Sequence, residues 1–498
     1  MESMTFVLFG ATGDLAKRKI FPALYNLYID QKVPSALSVI GLGMDEMTLA
    51  DFHQHVKDAV TSFSRRDPSE KELQAFLEKI VYTTLDAKKE DDYIKLLQLV
   101  EEQEKAYDIP GNRLFYLSVA PMFFDTIALH IKKSGLGSTK GFKRLIIEKP
   151  FGHDVESAQE LNNHLNHAFE EEEIYRIDHY LGKPMVQNLE ALEFANPVLQ
   201  ALWNNQYIAN VQITASETVG VEKRAGYYDG AGAIRDMFQN HMLQLLMMTA
   251  MHLPKKICAS DIRDEKRKVI ESLRPLTSTD IQQSVVRGQY GAGEIKGKTV
   301  PAYTDEPGVK EHSQTDTFVA ARLWIDNEFW QGVPFYIRTG KRLSEKSTRI
   351  VIEFKNPLKD LYVDQNQEVA PNLFVIQINP NESMSLQLNS KNPLKNGQLE
   401  TVSIHFSSDQ DEIPEAYERL IYDVFRGDST FFAHWKEVEL AWKWIDPLLQ
   451  AFQNNTLPLN TYEAGTNGPK EADELVQKDG FTWWTGKDPA ESKLSVNL

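Results

Sequence analysis

Over the first third of the chain two hydrophobic rhythms alternate. Short apolar, β-prone runs at 5–9, 37–42, 81–85, 113–119 and 143–148 are separated by stretches with helical spacing. After the first run, Leu15, Ile20, Phe21, Leu24, Leu27 and Tyr28 recur at helical intervals while Lys17, Arg18 and Lys19 are polar. Residues 91–107 and 122–134 read as further helices. Strands alternating with helices predict βαβ units and a mostly parallel sheet. Right-handed crossovers then make a doubly wound, Rossmann-type domain with its ligands at the carboxyl ends of the strands. Residues 152–174 are expected to be helical and to end in four glutamates, 170–173, on a solvated helix face.

Beyond residue 178 the rhythm changes. Residues 184–194 read as a helix, 207–216 as a strand and 222–229 as a polar loop. A long amphipathic helix is expected over 231–251, a charged exposed stretch over 261–274 and a long loop over 289–313. Segments near 317–325, 333–338, 348–354, 373–379 and 400–406 are strand-like without intervening helices, which predicts an antiparallel sheet. Helix returns at 414–425 and 433–451, and a Trp-rich tail ends the sequence. The expected fold class is therefore α/β plus α+β. A Rossmann-type domain over 1–178 precedes a larger domain, 179–498, with a mostly antiparallel sheet and helices.

Composition narrows the function. A length of 498 residues implies more than one core. The 42% hydrophobic and 25% charged content is ordinary for a globular protein. A net charge of −17 argues against a nucleic-acid binder and requires local cations to capture any anionic substrate. The single cysteine, Cys258, reads as a small buried hydrophobe, and with no internal disulfide available a reducing, cytoplasmic setting is expected. No signal peptide and no apolar run of membrane-spanning length is found, so no membrane association is expected. His53 and His55 are two apart and diverge, and no metal site is expected. No G-x-S-x-G elbow supports a serine hydrolase.

Three stretches carry chemistry. Gly10-Ala11-Thr12-Gly13-Asp14-Leu15-Ala16 follows the first strand as G-x-x-G-x-x-A. Gly10 can take a positive φ, Gly13 admits a pyrophosphate, and the helix start offers amides; an ordinary tight βα turn is the alternative. Lys149, in Glu148-Lys149-Pro150-Phe151-Gly152, closes the fifth strand and faces the ligand crevice, as a substrate or cofactor contact or as a surface lysine. The octet Arg176-Ile177-Asp178-His179-Tyr180-Leu181-Gly182-Lys183 is the densest polar cluster. On one helical turn His179 and Lys183 share a face that suits a phosphate, with Asp178 turned elsewhere; a charged surface turn is the other reading. Downstream, Asp236, Gln239, Asn240, His241 and Gln244 interrupt a Met/Leu-rich helix, and buried polar groups of that kind need partners or a ligand. Arg338, Lys341, Arg342 and Lys346 form a second anion contact or a solvated turn.

With these blocks in this order, the sequence resembles the glucose-6-phosphate dehydrogenases over nearly its whole length. The likeness rests on 10–19, 112–121, 148–152, 176–183, 224–229, 235–241 and 336–341. It implies hydride transfer from C1 of β-glucose 6-phosphate to a nicotinamide, giving the 6-phosphate lactone. It assigns His241 as general base and Asp178 as the carboxylate that orients it, roles imidazole and carboxylate can fill. His179, Tyr180 and Lys183 match phosphate contacts; Glu217, Asp236, Lys341 and Lys346 match sugar or phosphate contacts. Lys149 matches a lysine between substrate and cofactor, and Gly10, Thr12, Gly13, Asp14 and Leu15 form the cofactor turn. A homodimer or homotetramer built on the second domain's sheet is implied.

Two departures from the family pattern matter. Met44 stands where many NADP-preferring members carry a basic residue and Thr12 where some carry a lysine, and Asp45 should repel a 2′-phosphate. Use of NAD as well as NADP is therefore expected, with Arg65 and Arg66 as the basic residues able to fold back. Phe329 stands where an arginine commonly precedes the tryptophan matched by Trp330. The competing readings are a non-catalytic dinucleotide or sugar-phosphate sensor, which should have lost His241, Asp178 or Lys183, and an oxidoreductase for unphosphorylated aldoses, which should lack the 179–183 cations.

Overall fold

The computed structural model describes residues 1–358, 360–362, 369–406 and 413–485. The chain forms two compact units. The first comprises Met1–Pro184, Pro254–Asp264 and Pro414–Glu439, and the second takes the remaining described residues. Two segments that the sequence reading assigns to the second domain thus pack with the first. The end of the Trp-rich tail, 486–498, lies outside the described residues.

In the first unit β1 (Met4–Phe9), β2 (Leu37–Gly43), β3 (Ile80–Thr84), β4 (Arg113–Leu117), β5 (Lys143–Ile147) and β6 (Ile174–Arg176) form a parallel sheet in the order 3-2-1-4-5-6. This is the doubly wound order. Alternation along the strands builds a core on each face. Phe6, Leu8, Leu114 and Tyr116 pack on one side, and Val7, Phe9, Phe115 and Leu117 on the other. The first side is covered by Phe21–Ile29 and Leu49–Phe63, and also by Ala416–Arg426 from far along the chain.

The expected helix over 152–174 is shorter. It runs from Val155 to Asn166, opened by the Asp154–Ser157 capping box. Ile174, Tyr175 and Arg176 then leave the helix to pair as β6 with β5, because an apolar, β-prone run gains more from the sheet edge. The glutamates do not form a solvated helix face. Glu171 grips the buried Arg176 guanidinium at 2.6 Å and accepts from the Trp435 amide at 2.8 Å.

The second unit holds a nine-stranded mixed sheet. Its strands are β7 (Ile208–Ser216), β8 (Val285–Gly291), β11 (Phe318–Trp324), β12 (Pro334–Gly340), β13 (Ser347–Phe354), β14 (Leu373–Asn379), β15 (Ser383–Asn392), β16 (Gln398–Phe406) and β17 (Leu459–Glu463). A separate hairpin joins β9 (Gly293–Ile295) to β10 (Lys298–Val300). Pairing is antiparallel except for β7 with β12 and β8 with β17. The expected loop over 289–313 therefore contains strand and hairpin. Its Gly and Lys content hid them, since Lys296 and Gly297 supply the positive-φ turn between β9 and β10.

The stretch 222–251 is not a loop followed by one helix. A short turn, Glu222–Arg224, leads into the helix Ala225–Ala233, which breaks at Gly232 (φ +65°). A wide π-type turn then runs over Ile234–Met242 before α geometry resumes in Leu243–Ala250. The charged stretch 261–274 lies largely in the helix Ala259–Glu271, whose apolar stripe buries Ile262, Val269 and Ile270. Cys258 is exposed rather than buried. Among the described residues no helix is long and apolar enough to cross a membrane.

Candidate active site

In the first unit the predicted residues gather at the carboxyl ends of the parallel strands. The turn after β1 is closed by the Gly13 amide on the Gly10 carbonyl at 3.0 Å. Gly10 has φ +77°, and a Cβ there would stand 2.1 Å from the Ser118 carbonyl oxygen. The helix's first bond runs from Lys17 to Gly13 at 3.0 Å, so the amides of 14–16 have no partner inside it. A pyrophosphate fits such donors at a helix start. Leu15 packs into the apolar core, and Asp14 is exposed and paired with Arg18 at 2.8 Å, so these two serve the turn through their backbone. Thr12 lies against Gly43 at the end of β2, where a Cβ would meet its side chain. Gly10→Ala is expected to cost ~1–3 kcal/mol of local strain and to weaken dinucleotide affinity, measured by fluorescence titration alongside a melting curve.

At the end of β2, Met44 is 75% exposed and Tyr82 Oη donates to the Asp45 carbonyl at 2.6 Å. Arg65 and Arg66 turn to carboxylates instead. Arg65 is held by Asp30 at 2.8 Å and Glu418 at 3.0 Å, and Arg66 by Asp30 at 2.8 Å.

The octet forms consecutive tight turns rather than one α-helical turn. The Leu181 amide donates to the Asp178 carbonyl and the Lys183 amide to the Tyr180 carbonyl. Asp178 is buried and its Oδ1 accepts from the Tyr180 amide at 2.9 Å. Lys183 Nζ stands 4.2 Å from the Tyr180 ring centroid, and His179 and Tyr180 meet edge to face at 4.9 Å. Glycine is required at 182 because a Cβ would approach the Ala416 carbonyl to 2.7 Å. Lys149 follows β5 at the same end of the sheet.

The second unit brings a different group together. Glu217 follows β7, its amide bonded to the Gly340 carbonyl, and its carboxylate grips Lys341 Nζ at 2.5 Å. Lys341 also lies 5.0 Å from the Tyr228 ring. Tyr228 is pushed well above the usual phenol range by burial and by the carboxylates around it, Asp236 first. Asp236 is buried, with Arg224 3.7 Å away. His241 is wholly buried on the wide turn, whose i→i+5 spacing sets Asp236 and His241 one turn apart. The Asn240 side chain fills that turn: its Oδ1 accepts from the His241 amide at 2.6 Å and its Nδ2 donates to the Arg235 carbonyl at 3.2 Å.

The four cations of 338–346 do not form one patch. Arg338 is buried 4.2 Å from the Trp483 ring, and burial lowers it to about 9. Arg342 pairs with Glu306 at 2.9 Å, and Lys346 is exposed. Only Lys341 joins the Glu217 group. Phe329, in place of the family's arginine, meets the His252 ring edge to face, and His252 pairs with Glu193 at 2.9 Å.

Some contributing residues carry no sequence signal of their own. Asp316 holds the start of the wide turn, its Oδ2 accepting from the Ile234 amide at 2.8 Å. A Cβ at Gly232 would strike this carboxylate at 2.5 Å. Burial pushes Asp316 up to about 6. Its position 82 residues beyond Ile234 gives no local hint of the contact.

Residues 7–188 match the glucose-6-phosphate dehydrogenase NAD binding domain, and 190–484 match the glucose-6-phosphate dehydrogenase C-terminal domain. The chain belongs to the glucose-6-phosphate dehydrogenase family. It is 47% identical over 481 residues to the glucose-6-phosphate 1-dehydrogenase of Bacillus subtilis strain 168, covering 96% of this chain and 97% of that one. A solved glucose-6-phosphate dehydrogenase in complex with its substrate glucose-6-phosphate superposes with a TM-score of 0.89 at 34% identity, covering 97% of this chain and 99% of that one. The enzyme from Mycobacterium avium gives 0.84 at 32%, covering 98% and 100%. A dinucleotide-binding domain of this family thus precedes the unit that carries His241.

Proposed function

We propose that this chain is an oxidoreductase that oxidises β-glucose 6-phosphate at C1 to the 6-phosphate lactone, the first oxidative step of the pentose phosphate route. The observation that carries the residue roles is the compact turn 178–183. There the Tyr180 amide fixes the Asp178 carboxylate while Lys183 and His179 bracket the Tyr180 ring. Two cationic or imidazole donors beside a phenol suit a phosphate monoester. His179, Tyr180 and Lys183 bind the substrate phosphate, with Lys346 as an outer cation. Glu217, Asp236 and Lys341 accept from and donate to the sugar hydroxyls.

His241 takes the proton of the C1 hydroxyl, and Asp178 holds the imidazole in the right tautomer and stabilises its cation. Burial of His241 keeps water from competing for the ring. A nicotinamide dinucleotide bound at the 10–15 turn supplies the acceptor for the C1 hydride. Gly10, Thr12, Gly13, Asp14 and Leu15 hold its pyrophosphate through their backbone, and Lys149 lies between substrate and cofactor.

Both NAD and NADP serve as cofactor in this reading. Met44 brings no charge to the 2′-phosphate position, and Arg65 is engaged by two carboxylates. Initial rates of nicotinamide reduction with glucose 6-phosphate, titrating NAD and NADP separately, test activity and preference together. Comparable kcat/KM with the two is expected. Strong preference for NADP overturns the dual-cofactor reading, and no turnover with either overturns the enzyme assignment. The chain works as a homodimer or homotetramer in the cytoplasm, a proposal that light scattering of the purified protein tests for size.

A further inference from the structure

At the end of β5 the parallel sheet carries a carboxyl group, Glu148, that the reaction, as assigned, does not employ. β4, β5 and β6 lie side by side, with Ile147 opposite both Leu117 and Arg176. The Ile177 amide then donates to the Ile147 carbonyl at 2.9 Å. This register delivers Glu148, Lys149 and Asp178 to the same end of the sheet.

Glu148 is half-buried, and each of its oxygens has its own phenol donor. Tyr116 Oη donates to Oε1 at 2.6 Å and Tyr417 Oη to Oε2 at 3.4 Å. Tyr116 stands on β4, and Tyr417 comes from the helix Ala416–Arg426, 269 positions beyond Glu148. The groups facing Glu148 are these two phenols, Lys149 on its own loop and Asp178 beyond β6. Burial pushes the Glu148 carboxyl up to about 7, Asp178 pushes the same way, and the phenols and Lys149 oppose them. Burial also raises both phenols, so they stay donors throughout the working pH range.

We propose that Glu148 is a positioning residue for the oxidation: anchored by Tyr116 and Tyr417, it adds a second negative charge within electrostatic reach of Asp178 and strengthens that carboxylate's hold on the protonated base. The inference rests on the reading that Asp178 orients His241. Two carboxylates at neighbouring strand ends favour a cation between or beside them, so ionised Glu148 raises the proton affinity of the imidazole.

The test is the pH profile of kcat/KM for glucose 6-phosphate in the wild type, Glu148→Gln and Asp178→Asn. Glutamine keeps the shape and still accepts a phenol hydrogen, and a melting curve checks the fold. The acidic limb of Glu148→Gln is expected to move down by ~0.5 pH unit or more, the sign of a negative charge removed from the neighbourhood of the protonated base, with an unchanged KM at alkaline pH. A limb that stays in place while Asp178→Asn loses turnover overturns the role of Glu148 and leaves that of Asp178 standing. Normal turnover in Asp178→Asn overturns the underlying reading and this inference with it. Should Glu148→Gln fail to fold, Tyr417→Phe reads the same charge. Removing a donor keeps the carboxyl protonated to higher pH, so the limb again moves down, and an unmoved limb overturns the proposal.

Discussion

Replacing His241 by asparagine is expected to abolish most turnover while glucose 6-phosphate still binds. The side chain is wholly buried on a turn that Asn240 and Asp316 hold open, so a smaller polar residue removes the base without dismantling its support. Loss of a general base costs ~10²–10⁴-fold in rate. Because the proton is removed only as the C1–H bond breaks, the loss falls on kcat rather than on KM. Steady-state kinetics paired with equilibrium binding of the sugar phosphate separates the two. Near-normal kcat would remove His241 from the mechanism.

Lys183→Ala is expected to do the reverse. Lys183 is half-buried and stands over the Tyr180 ring, so its charge is partly shielded from water and aimed by the aromatic face. A hydrogen bond to a charged partner is worth ~1.5–3 kcal/mol, and each ~1.4 kcal/mol is tenfold. KM for glucose 6-phosphate should rise ~10–100-fold on that scale. Glucose itself, without the phosphate, provides the control. If Lys183 clasps the phosphate, the variant loses its preference for the phosphorylated sugar but handles the free sugar like the wild type. An equal loss with both substrates would mean that Lys183 supports the fold of the octet rather than binding phosphate.

Much of the first unit was legible because its first five strands and several of its helices advertise themselves locally. A parallel strand buried on both faces must be a short apolar run, and a helix over it must be amphipathic, so 5–9 and 15–28 announce one βα step. The second unit was harder. β15 carries a strand alternation, Met384, Leu386 and Leu388 against Ser385, Gln387 and Asn389, but the polar run Asn389–Asn392 that follows masks it as loop. The break at Gly232 was hidden because the carboxylate it packs against, Asp316, arrives from the loop before β11, far along the chain.

The candidate site divides along the same line. Residue type and spacing carried the resemblance to the family and marked the nucleotide turn, and the resemblance then supplied the expected base, its carboxylate and the phosphate cations. These groups act through their own chemistry, and that chemistry tolerates few substitutes. Tertiary structure alone decided which charges are available to a ligand. Arg65, Arg66, Arg338 and Arg342 all read from sequence as cations free to meet an anion. Pairing with Asp30, Glu418 and Glu306, and burial against Trp483, commit them to the fold. It decided equally that Glu148, an unremarked neighbour of Lys149, sits between two phenols from separate parts of the chain. A charge's partners and desolvation depend on atoms hundreds of residues away, and no local pattern encodes those distances.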